Sequence, residues 1–311
     1  MISVLGAGVA GLCAATALAE RGLSVEVIVP EGAPDPASNL AGGMLAPFCE
    51  GESAPEVVVA RGQAAADWWA ARVRGVVRRG TLVVAPPRDA AELDRFARAT
   101  RGHVWATPAE LEPELEGRFA RGLYFADEAH MDPRAAMADL RAGLAELGVA
   151  FHCGAPSGLI VDCRGLSAQD RLPDLRAVRG EMLEVSAPDV ALTRTVRLLH
   201  PRFPCYIVPR GDGRYMIGAT MVESARSGPV TARAVMELLS AAYTVHPAFA
   251  EAEVTATGAG LRPAFPDNLP AIRQDGDRIH LNGMYRHGFL MAPVLAEELA
   301  QMLIQEPAHA D

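Results

Sequence analysis

Apolar residues change period three times within the first thirty positions. Ile2 to Leu5 form a continuous apolar run, Leu12, Ala15, Leu18 and Ala19 recur at helical spacing, and Val25, Val27 and Val29 alternate as β-branched residues do in a strand. This pattern predicts a strand, a helix and a second strand, with a glycine-rich turn, Gly6-Ala7-Gly8-Val9-Ala10-Gly11, between the first two. Further helices are expected over Gln63 to Arg74, Ala90 to Ala99 and Pro133 to Leu147. The last has proline near its start and Gly148 just past its end, the usual asymmetry of helix termini. Leu159 to Cys163 reads as a buried strand, and Gly32 to Pro36 as a loop. From Glu181 to Met221 the pattern becomes antiparallel in character, with "CYIVPR" and "RYMIGATM" joined across "GDG", a hairpin signal. The chain then returns to a strand-like "RIHLNG" and a periodic helix, "FLMAPVLAEELAQMLIQ". An α/β frame is thus interrupted by a β-rich insert.

Composition narrows the function. The length of 311 residues suits about two lobes around a sizeable core. The formal charge is −9, from 29 basic and 38 acidic residues, which argues against nucleic acid as a partner because that binding needs lysines and arginines to neutralise phosphates. Cys13, Cys49, Cys153, Cys163 and Cys205 include no C-x-x-C pair, so neither a disulfide framework nor a metal site is indicated, and a reducing cytoplasm is expected. No basic and apolar leader precedes Ile2, so the mature chain is expected to begin at residue 1. The longest uncharged apolar stretch, Val9 to Ala19, falls short of the roughly 20 residues that cross a bilayer; no membrane association is expected.

The glycine turn carries the first chemistry. Gly6 permits the tight turn, Gly8 lets the backbone approach a pyrophosphate, and Gly11 allows the helix to pack closely on the strand, whose neighbouring helix N-terminus favours the phosphates. The acid that would hold a ribose hydroxyl is expected at the end of the second strand; Val29 stands there, and Glu31, two residues on, is the substitute. The segment that follows, "ASNLAGGMLAP", lacks any period. Its small residues suit a backbone lying against a flat, extended ligand, which favours FAD over a nicotinamide nucleotide.

Six stretches, "GAGVAG", "ASNLAGGMLAP", "GEML" at Gly180 to Leu183, "CYIVPRGDGRYMIGATM" at Cys205 to Met221, "GAGLRPAFPDNLPAI" at Gly258 to Ile272 and "GMYRHGFLMAPVLAEEL" at Gly283 to Leu299, occur in an order and spacing that resemble the D-amino acid oxidase superfamily, and most of all its glycine oxidases of thiamine biosynthesis. The resemblance implies an FAD-binding Rossmann-like α/β domain (residues 1–75, 127–170 and 256–311) and a second, antiparallel-sheet-rich substrate domain (76–126 and 171–255). It implies that Arg262 pairs with the substrate carboxylate, that the Tyr206 hydroxyl contacts the same group, and that Arg286 stands beside flavin and substrate. Met44, Cys49, Glu50 and Met221 are expected on the pocket wall. Besides Gly6, Gly8, Val9, Ala10, Gly11 and Glu31, the cofactor is expected to meet Ser38, Gly42, Gly43, Met44, Arg164, Gly165, Gly260 and Arg286 with His287, Gly288, Phe289 and Leu290. Arg164 could face phosphates or solvent. Two departures stand out: "FHCGAPSGLIVDCRG" lacks the β-meander common at this point, and Pro204 stands where a histidine can occur.

The implied reaction removes a hydride from an amino acid Cα. The cofactor performs the difficult step and the protein mainly orients, so an arginine that grips a carboxylate through two parallel bonds suits the task better than a catalytic triad. No cysteine lies in "GLRPAFPDN", so non-covalent FAD is expected. The leading expectation is FAD-dependent oxidative deamination of glycine or another small amino acid with O2 as acceptor, serving thiamine thiazole synthesis. The alternatives are a D-amino acid dehydrogenase or oxidase of broader specificity passing electrons to another acceptor, and a nucleotide-binding protein without turnover. Association into a homo-oligomer is left open.

Overall fold

In a computed structural model, residues 1–200 and 205–305 are described; Pro204 lies outside them. The first thirty residues fold as their periodicity predicts, into strand Ile2–Leu5, helix Val9–Ala19 and strand Val25–Ile28. The helix carries no charge and is buried from Val9 to Leu18. An all-apolar helix must be covered on every side. This one packs between the first strands, helix Pro133–Glu146 and helix Gly288–Gln305. A six-stranded sheet results, in the order Ala271–Asp275, Arg278–Asn282, Leu159–Asp162, Ile2–Leu5, Val25–Ile28, Ala150–His152. Its four central and outer pairings from Arg278 to His152 are parallel. Parallel strands place their carboxyl ends on one side, where ligands of such sheets bind. His152 and Leu159 are joined without further strands, as the shortened sequence implies.

The second sheet has nine strands. Its main path runs Val222–Glu223, Arg176–Ser186, Arg214–Gly218, Cys205–Gly211, Thr195–Leu198, Thr81–Val84, Gly122–Phe125, Val104–Ala106, and Glu253–Ala264 pairs with Arg176–Ser186. The expected hairpin is present, and Gly211, Asp212 and Gly213 all adopt positive φ in its turn. Helix Ala232–Val245 covers one face through Leu238, Ala241, Ala242 and Val245, which pack with Leu183, Ile207 and Ile217.

Two expectations need correction. The window Gln63 to Arg74 holds helix Ala65–Ala70, and a separate helix, Glu56–Gly62, precedes it. Trp68 and Trp69 pull this region onto the last helix, donating to Glu297 and to the Phe289 carbonyl, each at 2.8 Å. The boundary drawn at residue 256 falls inside Glu253–Ala264, which is paired along its length with Arg176–Ser186 and so belongs to the second sheet as far as Ala264. Its partner lies some seventy residues away in sequence, which local periodicity does not reveal. No helix among the described residues is long and apolar enough to cross a membrane.

Candidate active site

A cleft of about 1570 Å³ runs between the two sheets, from the glycine turn to Arg262. Its near end is built by the absence of side chains. Gly6 sits at φ +97°, and a Cβ there would lie 2.9 Å from the Cys163 carbonyl oxygen. Gly8 caps the first helix without a side chain, and the Val9 N–H donates to Ser38 Oγ at 3.0 Å. Ala7, Gly8, Val9, Ala10, Glu31 and Ser38 line the cleft. Gly11 does not. A Cβ on it would stand 1.9 Å from the Gly6 carbonyl oxygen, so it brings helix and turn together instead of facing a ligand.

The middle of the cleft is walled by residues 37–44. Gly43 (φ +68°) has no room for a Cβ, which would fall 2.1 Å from the Met131 carbonyl oxygen, and a Cβ on Gly42 would fall 2.7 Å from the Tyr206 ring. These two glycines let the wall pack closely against Met131, Pro133 and Tyr206. Behind this wall, Arg210 donates to the carbonyls of Met131 (2.9 Å), Gly42 (2.9 Å) and Ala41 (3.3 Å). Sequence reading missed Arg210; the only signal is its place in the strand that carries Tyr206. A long cleft that starts at a helix N-terminus and runs past a closely packed, glycine-bearing wall fits FAD.

At the far end, Arg262 lies opposite Val178 in the sheet register, and Gly180 lies opposite Gly260. A Cβ on Gly180 would meet the Arg262 guanidinium at 2.2–2.5 Å, so the guanidinium rests directly on that glycine. Arg262 donates to the Thr220 carbonyl at 3.2 Å. Half-buried on the cleft floor, it is still desolvated enough that burial lowers its pKa, and neighbouring Arg286 lowers it further while Tyr206 opposes. Burial likewise raises the Tyr206 phenol.

Arg286 is engaged with Glu50: Nε lies 2.9 Å from Oε2, and NH2 donates to Oε1 at 3.1 Å. His287 Nδ1 stands 3.3 Å from Glu50 Oε2. Burial alone would raise the Glu50 carboxyl, but the Arg286 charge and then His287 hold it well below the usual carboxylate range. Six arginines line the cleft. Arg134 pairs with Glu184 (2.9 Å), Arg164 with Asp162 (2.7 Å), Arg179 with Glu181 (2.9 Å) and Arg286 with Glu50. Arg141, stacked over Phe151 at 4.6 Å, and Arg262 have no carboxylate partner among the described residues.

Met44, Glu50, Tyr206, Gly260, Arg262, Arg286, Gly288, Phe289 and Leu290 line this cleft, as do Gly42, Gly43 and Gly165. Four residues stand elsewhere or differently. Cys49 is fully buried in a core with Ala46, Val83 and Phe96, because the short helix Pro47–Glu50 turns Glu50, not Cys49, toward the cleft. Met221 is 49% exposed and outside the wall, with its sulfur 2.8 Å from the Tyr285 hydroxyl; Tyr285 takes the wall position. His287 is buried behind Glu50 and does not reach the cleft. Arg164 lines the cleft and is partly exposed, but its guanidinium is held by Asp162 and Asp170, with Nη2 2.9 Å from Asp170 Oδ1.

A second carboxylate supports Cys49 from behind. Glu128, 1% exposed, accepts from the Cys49 N–H at 2.7 Å through Oε1, while Oε2 has no hydrogen-bond partner. Burial pushes its pKa up to about 7. A carboxyl raised on folding contributes stability below about pH 4.5 and loses it as pH rises through about 7. Glu128→Gln is therefore expected to raise the melting temperature at pH 8 more than at pH 5, measured by thermal denaturation at both values. An equal shift at both pH values contradicts this assignment.

The chain is 55% identical, over 98% of its length and 97% of the relative's, to a thiamine biosynthesis oxidoreductase, ThiO, of Rhizobium etli. It is 31% identical to a D-amino-acid oxidase of Rubrobacter xylanophilus over 96% of this chain and 94% of that one. The crystal structure of glycine oxidase from Geobacillus kaustophilus superposes with a TM-score of 0.81 at 25% identity, covering 98% of this chain and 94% of that one. The profile of one family, DAO, described as FAD dependent oxidoreductase, matches residues 1–302. A matched span of that extent, over a cleft shaped for an extended flavin nucleotide, makes this chain a member of the DAO family of FAD-dependent oxidoreductases.

Proposed function

We propose that the protein oxidises glycine or another small amino acid at Cα, and that the imine is hydrolysed to the 2-oxo acid and ammonia while O2 is reduced to hydrogen peroxide. The observation that carries this reading is Arg262: a cation without a carboxylate partner among the described residues, on the floor of the cleft that begins at the glycine turn. In this reading Arg262 binds the substrate carboxylate bidentately and the Tyr206 hydroxyl contacts the same group, which fixes Cα relative to the wall at Gly42 and Gly43. FAD, when bound, supplies the two-electron acceptor. Gly6, Gly8, Ala10, Ser38, Gly42 and Gly43 would hold it, without a covalent bond. A role in supplying thiamine thiazole synthesis is supported by the name of the Rhizobium etli relative.

The test is to purify the protein, record its spectrum, and follow anaerobic bleaching of the flavin band with glycine, sarcosine and D-alanine. Bleaching by at least one, and peroxide on readmitting air, is the expected result. D-alanine outrunning glycine would favour a D-amino acid oxidase of broader specificity, and bleaching without peroxide a dehydrogenase. A flavoprotein that none of the three bleaches overturns the reading.

A further inference from the structure

The substrate end of the cleft is lined by two guanidinium groups, Arg262 and Arg286, and each depends on what else is charged nearby. Glu50 is the only carboxylate among the described residues that is paired with either of them, and it lies on the cleft wall itself. The next cation along, Arg197, is already paired with Glu52 at 2.7 Å. With Glu50 ionised, the cluster of Arg262, Arg286 and Glu50 therefore carries a single positive charge.

We infer that Glu50 sets this charge and thereby restricts the site to amines bearing one carboxylate. The inference rests on the proposed function and deepens it by naming what the site rejects. A monocarboxylate seated on Arg262 brings the cluster to neutrality. A second carboxylate finds Arg286 already engaged by Glu50 on both its Nε and NH2 sides, and it brings an uncompensated negative charge beside a buried one. Like charges placed together in a poorly solvated pocket discriminate strongly against the ligand that brings them. Substrate charge is selected by a wall residue that need not touch the substrate's first carboxylate.

The test compares ligands that differ by one carboxylate. Acetate and malonate, which are not oxidised, are titrated calorimetrically into flavin-loaded protein at pH 8. Sarcosine and iminodiacetate are compared by kcat/KM. Glu50→Gln is expected to raise both the malonate-to-acetate affinity ratio and the iminodiacetate-to-sarcosine ratio by about tenfold or more, the scale on which a removed buried charge alters recognition. The double variant Glu50→Gln/Arg286→Gln again carries one net positive charge and is expected to return both ratios toward the wild-type values. Unchanged ratios in Glu50→Gln overturn the inference, as does a double variant that gains as much as the single one, since enlarged space and not charge would then be responsible.

If Glu50→Gln does not retain flavin, Arg286→Gln gives the complementary measurement. Glu50 then stands unneutralised beside Arg262, so acetate affinity is expected to fall about tenfold and to recover in the double variant. Equal acetate affinity in both overturns the inference. A wild-type enzyme that no small amino acid reduces would defeat the proposed function instead, while the acetate and malonate titrations would still report on the charge of the cluster.

Discussion

Arg262→Ala is expected to retain FAD and lose amino-acid turnover by about two orders of magnitude or more. The magnitude follows from two charge-assisted hydrogen bonds, each contributing about 1.5–3 kcal/mol, with about 1.4 kcal/mol per factor of ten. The guanidinium sits on Gly180 and donates to the Thr220 carbonyl, so little of the fold hangs on it. Loss of activity should therefore come with a nearly unchanged melting temperature and flavin spectrum. Arg262→Lys should recover only part, because an ammonium cannot present two parallel donors to a carboxylate. Steady-state kinetics with glycine or sarcosine, beside the absorbance ratio of flavin to protein, would check this. Normal kinetics in Arg262→Ala would remove that residue from the site and the amine chemistry with it.

Gly11→Ala is expected to act on the other end of the cleft and through packing. The added Cβ would stand 1.9 Å from the Gly6 carbonyl oxygen, a backbone atom in a turn whose own Cβ position is blocked by Cys163. Neither side can yield without moving the helix off the strand. Overpacking of this kind costs about 1–3 kcal/mol and sometimes more. Because the same movement displaces the helix N-terminus that would meet the pyrophosphate, flavin should be lost on gel filtration and the melting temperature should fall. A variant with full flavin content would show that the turn has slack that the present geometry denies. Gly8→Ala offers a contrast: its added methyl would meet Ser38 Oγ at 3.4 Å, ordinary contact, so its effect should fall mainly on the ligand and not on the fold.

How much of this was legible in the sequence differs from element to element. The glycine turn was readable because its spacing between a strand and a helix is a local pattern, although the atoms that exclude a side chain at Gly6 belong to Cys163. The helix Pro133–Glu146 was readable for a similar reason, since Pro133 opens its first turn and Gly148 follows its end. The place of Glu253–Ala264 was not, because what decides it is hydrogen bonding to a strand some seventy residues earlier. Resemblance brought Arg262, Tyr206 and Arg286 to attention, but could not say that Arg286 would be occupied by Glu50 and Arg262 left without an acid. Those are facts of side-chain placement. Cys49 and Glu50 show the limit most clearly: adjacent in sequence, one enters the core and the other the cleft, and a four-residue helix decides which. Arg210 was invisible because backbone carbonyls, its partners, leave no signature in a sequence.

The strand pair that carries Gly180 and Arg262 also constrains how this molecule can change. Its register is continuous from Arg176 opposite Ala264 to Glu184 opposite Ala256 and shifts only beyond that point. A slip by one residue turns every side chain of a strand to the opposite face, so an insertion on the near side of the irregularity would carry the guanidinium out of the cleft altogether. Length variation between descendants of this chain should accumulate past residue 184 on the one strand and before residue 256 on the other, leaving the stretch between as a fixed ruler from sheet to substrate.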